Sequence, residues 1–397
     1  MTETRRPRIL LVTRNLPPLV GGMERLNWHM AEELSRYADV RVIGPAGSAA
    51  MRPAGVRVYE VTLRPLWKFL LHAQWRALCL ALTWKPDVIL AGSGLTTPIA
   101  WCAARASGAR TATYVHGLDL AVRHPVYRGL WLPALRHIDR VIANSRSTAA
   151  LARAAGVSAE RIGIVHPGVD LPVEHVAVGG SVVAAVQEAE DKEPADFRER
   201  HQFGSRPLLL SVGRLSTRKG LREFVAQALP HIVEAYPDAL LVVVGDTPTD
   251  ALHAQAQTPE SVRAAAEQGG VGQNLCFLGT ITDYRELGSV YRAANVHVFP
   301  VRDIPGDPEG FGMVAVEAAA HGLPTVAFAT GGVVDAVAEG ESGCLVASDD
   351  YAGFAEAVRR VLSGCGSLSG SSRVFAEQFI WPRFGERLWQ LLLPVRD

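Results

Sequence analysis

The stretch DPEGFGMVAVEAAAHG, residues 307–322, carries two glutamates, Glu309 and Glu317, eight positions apart. Paired carboxylates are what a glycoside hydrolase sets on either side of a scissile sugar bond. The neighbours argue for a different use. Pro308, Gly310 and Gly312 put Glu309 in a loop, with a helix expected from near Phe311 that carries Glu317. On one helix, at about 100° per residue, eight positions would leave two side chains about 80° apart. From the loop, Glu309 can instead reach a pocket ahead of the helix. A carboxylate on the helix can accept from two adjacent hydroxyls, such as those of a ribose. The amides around Gly310, Phe311 and Gly312 sit where a helix N-terminus can bind hydroxyls or phosphate. A capping acid plus one surface glutamate is the plainer account of the same residues.

Three further groups could do chemistry. GRLSTRKG, residues 213–220, places Arg214 and Lys219 in a loop after an apolar run, with Gly213 and Gly220 permitting a tight path. A guanidinium and an ammonium together suit a diphosphate, although a solvated loop is the plainer account of this segment alone. Gly21 and Gly22 precede a helix expected from near Met23, where backbone amides and the helix dipole favour an anion; a tight turn is the alternative. The Gly21–Gly22 loop is not G-x-G-x-x-G and GRLSTRKG is not a P-loop, so neither nucleotide fingerprint is present. His116 follows the run TATYV directly and precedes Gly117, at the strand end where open α/β sheets bind ligands.

The elements that must position these groups are legible as alternation. Runs at 8–13, 39–43, 87–91, 111–115 and 140–144 read as buried parallel strands, with helices between them, for instance at 22–36 and 145–155. A second set lies at 207–213, 239–245, 274–279, 296–300 and 324–328. This predicts an α/β protein of two Rossmann-like, doubly wound domains facing across a cleft. The expected boundaries are 1–175, an interdomain connection over 176–204, a second domain over 205–375, and a C-terminal helical segment, 376–397, packing back toward the first domain. That last segment is read as helical over 371–393 with a break near Pro382.

Composition excludes some partners. Forty basic residues balance forty acidic ones over 397 residues, so no bulk charge calls for a nucleic acid. The five cysteines have neither metal nor redox spacing, which suits reduced thiols in the cytoplasm. No apolar run is long enough to span a bilayer, and the N-terminus does not read as a signal peptide. One stretch, 64–85, has three tryptophans and four basic residues. It could lie on a membrane interface beneath a lipid-linked glycan, or be a buried helix of the first domain.

Taken in order, these segments resemble the GT4 family of nucleotide-sugar glycosyltransferases, which have the GT-B fold. EGFGMVAVE resembles the family's E-x7-E motif through Glu309 and Glu317, and RLSTRK its R-x4-K pair through Arg214 and Lys219. Gly21 and Gly22 resemble its glycine loop, and HPGVD, residues 166–170, the segment closing its N-terminal domain. The resemblance implies that the C-terminal domain binds the donor and the N-terminal domain the acceptor. It gives Glu317 the ribose, and Arg214 with Lys219 the leaving diphosphate. Glu309, Gly310, Phe311, Gly312, Met313 and Val314 would position the sugar and phosphate. Gly213 would belong to the same donor site, Thr280, after Gly279, would meet the base, and His116 would stand near the reacting sugar. It further implies retention of configuration by front-face attack, with no metal and no cofactor other than the co-substrate.

Within the family the look is of bacterial mannosyl- or rhamnosyltransferases using GDP-sugars. The expected acceptor is a glycan, a lipid-linked or a small molecule in cell-surface polysaccharide, lipopolysaccharide or glycoconjugate synthesis, at the cytoplasmic face of the inner membrane. UDP-sugar donors of glucose, galactose or GlcNAc remain open, as do an epimerase and a non-catalytic sugar-binding protein.

Overall fold

The run RILLV forms strand β1 (Arg8–Val12), with Ile9 to Val12 fully buried, as a strand covered on both faces must be. It lies in a seven-stranded sheet with β2 (Asp39–Pro45), β3 (Arg57–Val61), β4 (Val88–Ala91), β5 (Arg110–Val115), β6 (Arg140–Ala143) and β7 (Ile162–Ile164). The order is β3-β2-β1-β4-β5-β6-β7 and every pair is parallel. This computed structural model describes residues 5–172, 193–247, 256–364 and 368–393.

A second, six-stranded parallel sheet contains β8 (Leu208–Val212), β9 (Leu240–Val244), β10 (Leu275–Gly279), β11 (Val296–Phe299), β12 (Thr325–Phe328) and β13 (Gly343–Val346). Its order is β10-β9-β8-β11-β12-β13. Side-chain alternation splits its core in two: Leu209, Leu241 and Val243 pack on one face, Leu208, Leu210, Leu240 and Val242 on the other. Each sheet reverses its winding between its first and fourth strand in sequence, and ligands bind beyond the carboxyl ends of the strands at such a point.

The chain folds as two units, one of Met1–Gly168 with Phe379–Asp397, the other of Val169–Gln378. Three strands lie outside the expected runs: β3, β7 and β13. All three are edge strands of three to five residues with partly exposed side chains, so none carries an unbroken apolar signature.

The expected connection over 176–204 is corrected at its end; its residues as far as 192 lie outside the described residues. Residues 193–200 are helical and belong to the second unit. Phe197 is buried in that unit's core, and Glu193 pairs with Arg292 and accepts from the Ser289 hydroxyl at 2.6 Å. Mixed charge hid the helix, because its charged side chains serve contacts that only tertiary structure supplies.

The C-terminal break falls near Pro382, as expected, and just ahead of it. Helix Ser369–Ala376 ends in a single turn, Glu377–Phe379, and a new helix, Trp381–Leu392, begins after Ile380. Pro382 stands in the first turn of that helix, where its missing N–H leaves no hydrogen bond unmade. Within the first unit this helix packs on helix Gly22–Ser35: Trp381 stacks on His29 with centroids 4.0 Å apart. Among the described residues, no helix is long and apolar enough to cross a membrane.

Candidate active site

In the second unit, the loops after β8 and β11 meet at the point where the winding reverses. Gly220, with φ 68°, lets them touch, since a Cβ there would come within 2.2 Å of the Pro300 carbonyl oxygen. The Arg302 amide donates to the Arg218 carbonyl at 2.8 Å, tying the two loops by their backbones. This contact sets Lys219 and Glu309 face to face.

Glu309 is 9% exposed. Its Oε2 accepts from Lys219 Nζ at 2.9 Å and lies 3.2 Å from Arg218 Nε. Arg218 extends further, donating from a terminal nitrogen to Asp307 Oδ1 at 2.6 Å and to the Pro308 carbonyl at 3.2 Å. Burial pushes the Glu309 carboxyl upward, but Lys219 and Arg218 outweigh it and hold the group at about 2. Burial also disfavours the Arg218 cation, yet Glu309 and Asp307 together raise its pKa above the ordinary value. For Lys219 burial prevails over Glu309 and the pKa is lowered. The ammonium lies 4.6 Å from the centroid of the Phe299 ring, a cation–π contact from the floor of the site.

Beneath that floor, His297 is fully buried, with Nδ1 3.0 Å from Thr325 Oγ1. Burial, reinforced by the Lys219 charge, lowers it to about 3, so it is neutral and adds no cation to the cluster.

Gly312 caps the helix Met313–Ala320 with φ 96°. A Cβ at that position would come within 2.8 Å of the Phe299 ring, so the turn requires glycine twice over. The helix therefore starts two residues later than expected: Gly310, Phe311 and Gly312 lie in the loop, and Met313 and Val314 open the first turn. Gly332, in the loop after β12, donates its N–H to the Glu309 carbonyl at 2.9 Å; a Cβ there would stand 2.0 Å from the Gly310 carbonyl oxygen. The Glu309 loop is thus held by backbone on its far side.

Glu317 stands one turn into the helix, half-buried, where Tyr291 Oη donates to its Oε2 at 3.1 Å. Tyr291 is itself buried and stacks on His321 at 5.2 Å. Gly213 follows β8 with φ 135°, and Arg214 beside it is exposed but adds its charge to Lys219 and Glu309. Thr280 is exposed just after β10. Arg218, Asp307 and Tyr291 were absent from the sequence expectation. Arg218 and Asp307 had a signal in their charge beside Lys219 and Glu309; Tyr291 had none.

In the first unit, the winding reverses between β1 and β4. His116, after β5, uses Nε2 to reach the Gly92 carbonyl at 2.9 Å, which requires that nitrogen to carry a proton. Asp119 accepts from the backbone N–H of both His116, at 3.1 Å, and Gly94, at 3.0 Å, so one carboxylate ties the ends of β4 and β5 together. Gly21 and Gly22 stand at the N-terminus of helix Gly22–Ser35. A carboxylate of the same chain already covers that end: Glu24 accepts from Asn15 Nδ2 at 2.7 Å, and a Cβ on Gly21 would lie 2.4 Å from its Oε2.

Two family descriptions match the chain: Glycosyltransferase Family 4 over residues 20–172, and Glycosyl transferases group 1 over residues 193–368. The chain belongs to glycosyltransferase family 4. A GDP-mannose-dependent alpha-(1-6)-phosphatidylinositol monomannoside mannosyltransferase of Mycolicibacterium smegmatis is 28% identical, over 98% of this chain and 99% of that protein. A D-inositol 3-phosphate glycosyltransferase of the same organism is 32% identical over 61% of this chain and 50% of its own length. Among solved structures, Anabaena Alr3699/HepE in complex with UDP-glucose superposes with a TM-score of 0.77 at 18% identity, covering 97% of this chain and 99% of that one. The two parallel-sheet units are those of a GT-B glycosyltransferase. This glycosyltransferase transfers a glycosyl group.

Proposed function

We infer that the enzyme transfers mannose, or a related hexose such as rhamnose, from a GDP-sugar, with retention of configuration and without a metal. The observation that carries the donor assignment is the cation cluster where β8 and β11 end. Lys219, Arg218 and Arg214 surround one buried carboxylate at a ligand-binding position of the sheet. As the glycosyl bond breaks, charge accumulates on the departing diphosphate, and fixed cations stabilise it most at that moment. In this reading Lys219 and Arg214 take the diphosphate, which in turn accepts the proton of the acceptor hydroxyl. Glu309 and the Gly310–Val314 backbone orient the sugar, Glu317 binds the ribose, and Thr280 lies by the base. In the first unit, His116 and the Gly21–Gly22 loop are the residues assigned to the nucleotide sugar.

The GDP-sugar choice leans on the GDP-mannose-dependent relative matched along nearly its whole length. A UDP-sugar is the second reading, favoured by the UDP-glucose complex of the Anabaena structure. Turnover and thermal stabilisation with GDP-mannose, UDP-glucose and UDP-GlcNAc decide between them, because a ligand that binds only the native state raises the melting temperature. Stabilisation by none of these donors would remove the assignment.

For the acceptor we favour a lipid-linked molecule reached at an anionic membrane surface on the cytoplasmic side. Helix Leu66–Thr83 buries Phe69, Ala73, Ala77, Leu80 and Ala81 on one face. It leaves Trp67, Leu71, Trp75 and Leu82 more than half exposed on the other. Lys68 and Arg76 lie against the two exposed tryptophans, and no acidic residue occurs between Glu60 and Asp87. An apolar stripe edged with cations suits anionic lipid headgroups. The mannosyltransferase relative, by its name, acts on a phosphatidylinositol mannoside.

A further inference from the structure

Two cations address a single oxygen of Glu309, and they are not equivalent. Lys219 reaches Oε2 with a single flexible ammonium, at 2.9 Å. Arg218 reaches the same oxygen at 3.2 Å while its other end is anchored on Asp307 and on the Pro308 carbonyl. Arg218 is therefore fixed at three points around the 307–309 turn, and its own carbonyl is held by the Arg302 amide. We propose that Arg218 is a positioning residue: it keeps a counter-ion on Glu309 and holds it in place, so that Lys219 is free to exchange its carboxylate partner for the donor diphosphate.

The proposal rests on the reading that Lys219 binds the diphosphate. Without Arg218, every move of Lys219 toward phosphate would strand a buried carboxylate without a counter-ion, which is costly. Lys219 would then stay on Glu309. With Arg218 present the carboxylate is never stranded: when Lys219 turns to a new anion, Glu309 and Asp307 share the Arg218 guanidinium. A point charge on a flexible stem suits the moving partner, and a planar fork suits the fixed one.

A suppression experiment on the full-length chain tests this, using GDP and UDP as probes and calorimetric affinity as readout. Arg218→Gln weakens the binding of whichever diphosphate the enzyme prefers by about tenfold, the scale of one charge-assisted contact. In a Glu309→Gln background the same change has no effect, since no carboxylate remains to retain Lys219. An equal loss in both backgrounds would mean that Arg218 touches the ligand or only supports the fold, and would overturn the proposal. An unchanged affinity in Arg218→Gln would do so too. Should that variant fail to fold, Arg218→Met, which keeps the length of the side chain and removes its charge, takes its role with the same two backgrounds and the same expected suppression. Lys219→Met separates the underlying reading: if it leaves both affinities unchanged, the diphosphate assignment itself is wrong and the exchange falls with it. If it weakens binding while Arg218→Gln does not, only the exchange is wrong.

Discussion

The Lys219 ammonium lies 2.9 Å from Glu309 Oε2, across 90 residues of chain. The contact joins the two segments that sequence singles out, and it makes each of them testable through the other. Lys219→Ala leaves Glu309 with Arg218 as counter-ion, so folding survives while the diphosphate loses a cation. We expect kcat to fall by about two orders of magnitude, roughly 3 kcal/mol of transition-state stabilisation. Arg214→Ala, at an exposed position, should also lower turnover while barely changing the melting temperature. Near-normal turnover in both variants would contradict the assigned roles.

The same pair sets an acid limit. The folded-state pKa of Glu309, about 2, lies below its ordinary value of 4.5. The stabilisation from its ion pairs is therefore complete above about 4.5 and is lost as pH falls toward 2. Glu309→Gln should flatten the stability profile through that window. Urea midpoints measured between pH 5 and pH 2.5 report it. A profile that falls as steeply in the variant as in the wild type would place the acid sensitivity elsewhere.

Tyr291 holds Glu317 by a single hydroxyl at 3.1 Å. Tyr291→Phe keeps the buried ring and its stacking on His321 but removes the hydroxyl that donates to the carboxylate. The expected result is a donor KM raised about fivefold, near 1 kcal/mol, with kcat little changed. A drop in kcat at unchanged KM would show that Glu317 serves the chemical step rather than donor binding.

Trp67 and Trp75 are 58% and 60% exposed on one face of their helix. Replacing both with Gln should abolish sedimentation with anionic vesicles at low salt and leave turnover on a soluble acceptor analogue intact. Wild-type protein that stays in the supernatant with those vesicles would end the membrane reading.

Phe197 is 1% exposed in the core of the second unit, on a helix within the stretch first read as a connection. Phe197→Ala should cost about 3–5 kcal/mol of that unit's stability. A loss below about 1 kcal/mol, within the range of ordinary surface substitutions, would mean that the helix is a loose appendage.

Much of this was legible in the order of residues, for local reasons. Mostly apolar runs mark strands buried on both faces, and ten of the thirteen strands among the described residues coincide with one. The positions of Gly213, Gly220, Gly310 and Gly312 mark loops that must turn tightly at strand ends. Spacing alone related Arg214 to Lys219 and Glu309 to Glu317. Beyond the shared donor that the family resemblance implies, what sequence could not supply was the contact between those two pairs. That depended on β11 being laid beside β8 while β9 and β10 go to the opposite side, so that loops ninety residues apart share one edge. Only this topology turned Arg218 from a charge in a loop into an anchored counter-ion, and gave Tyr291 to Glu317. It also decided which face of helix Leu66–Thr83 is covered, because a helix with apolar residues on more than one face does not say by itself which stripe the sheet will take. Local chemistry is written in neighbouring residues; the pairing of distant charges is settled by strand order.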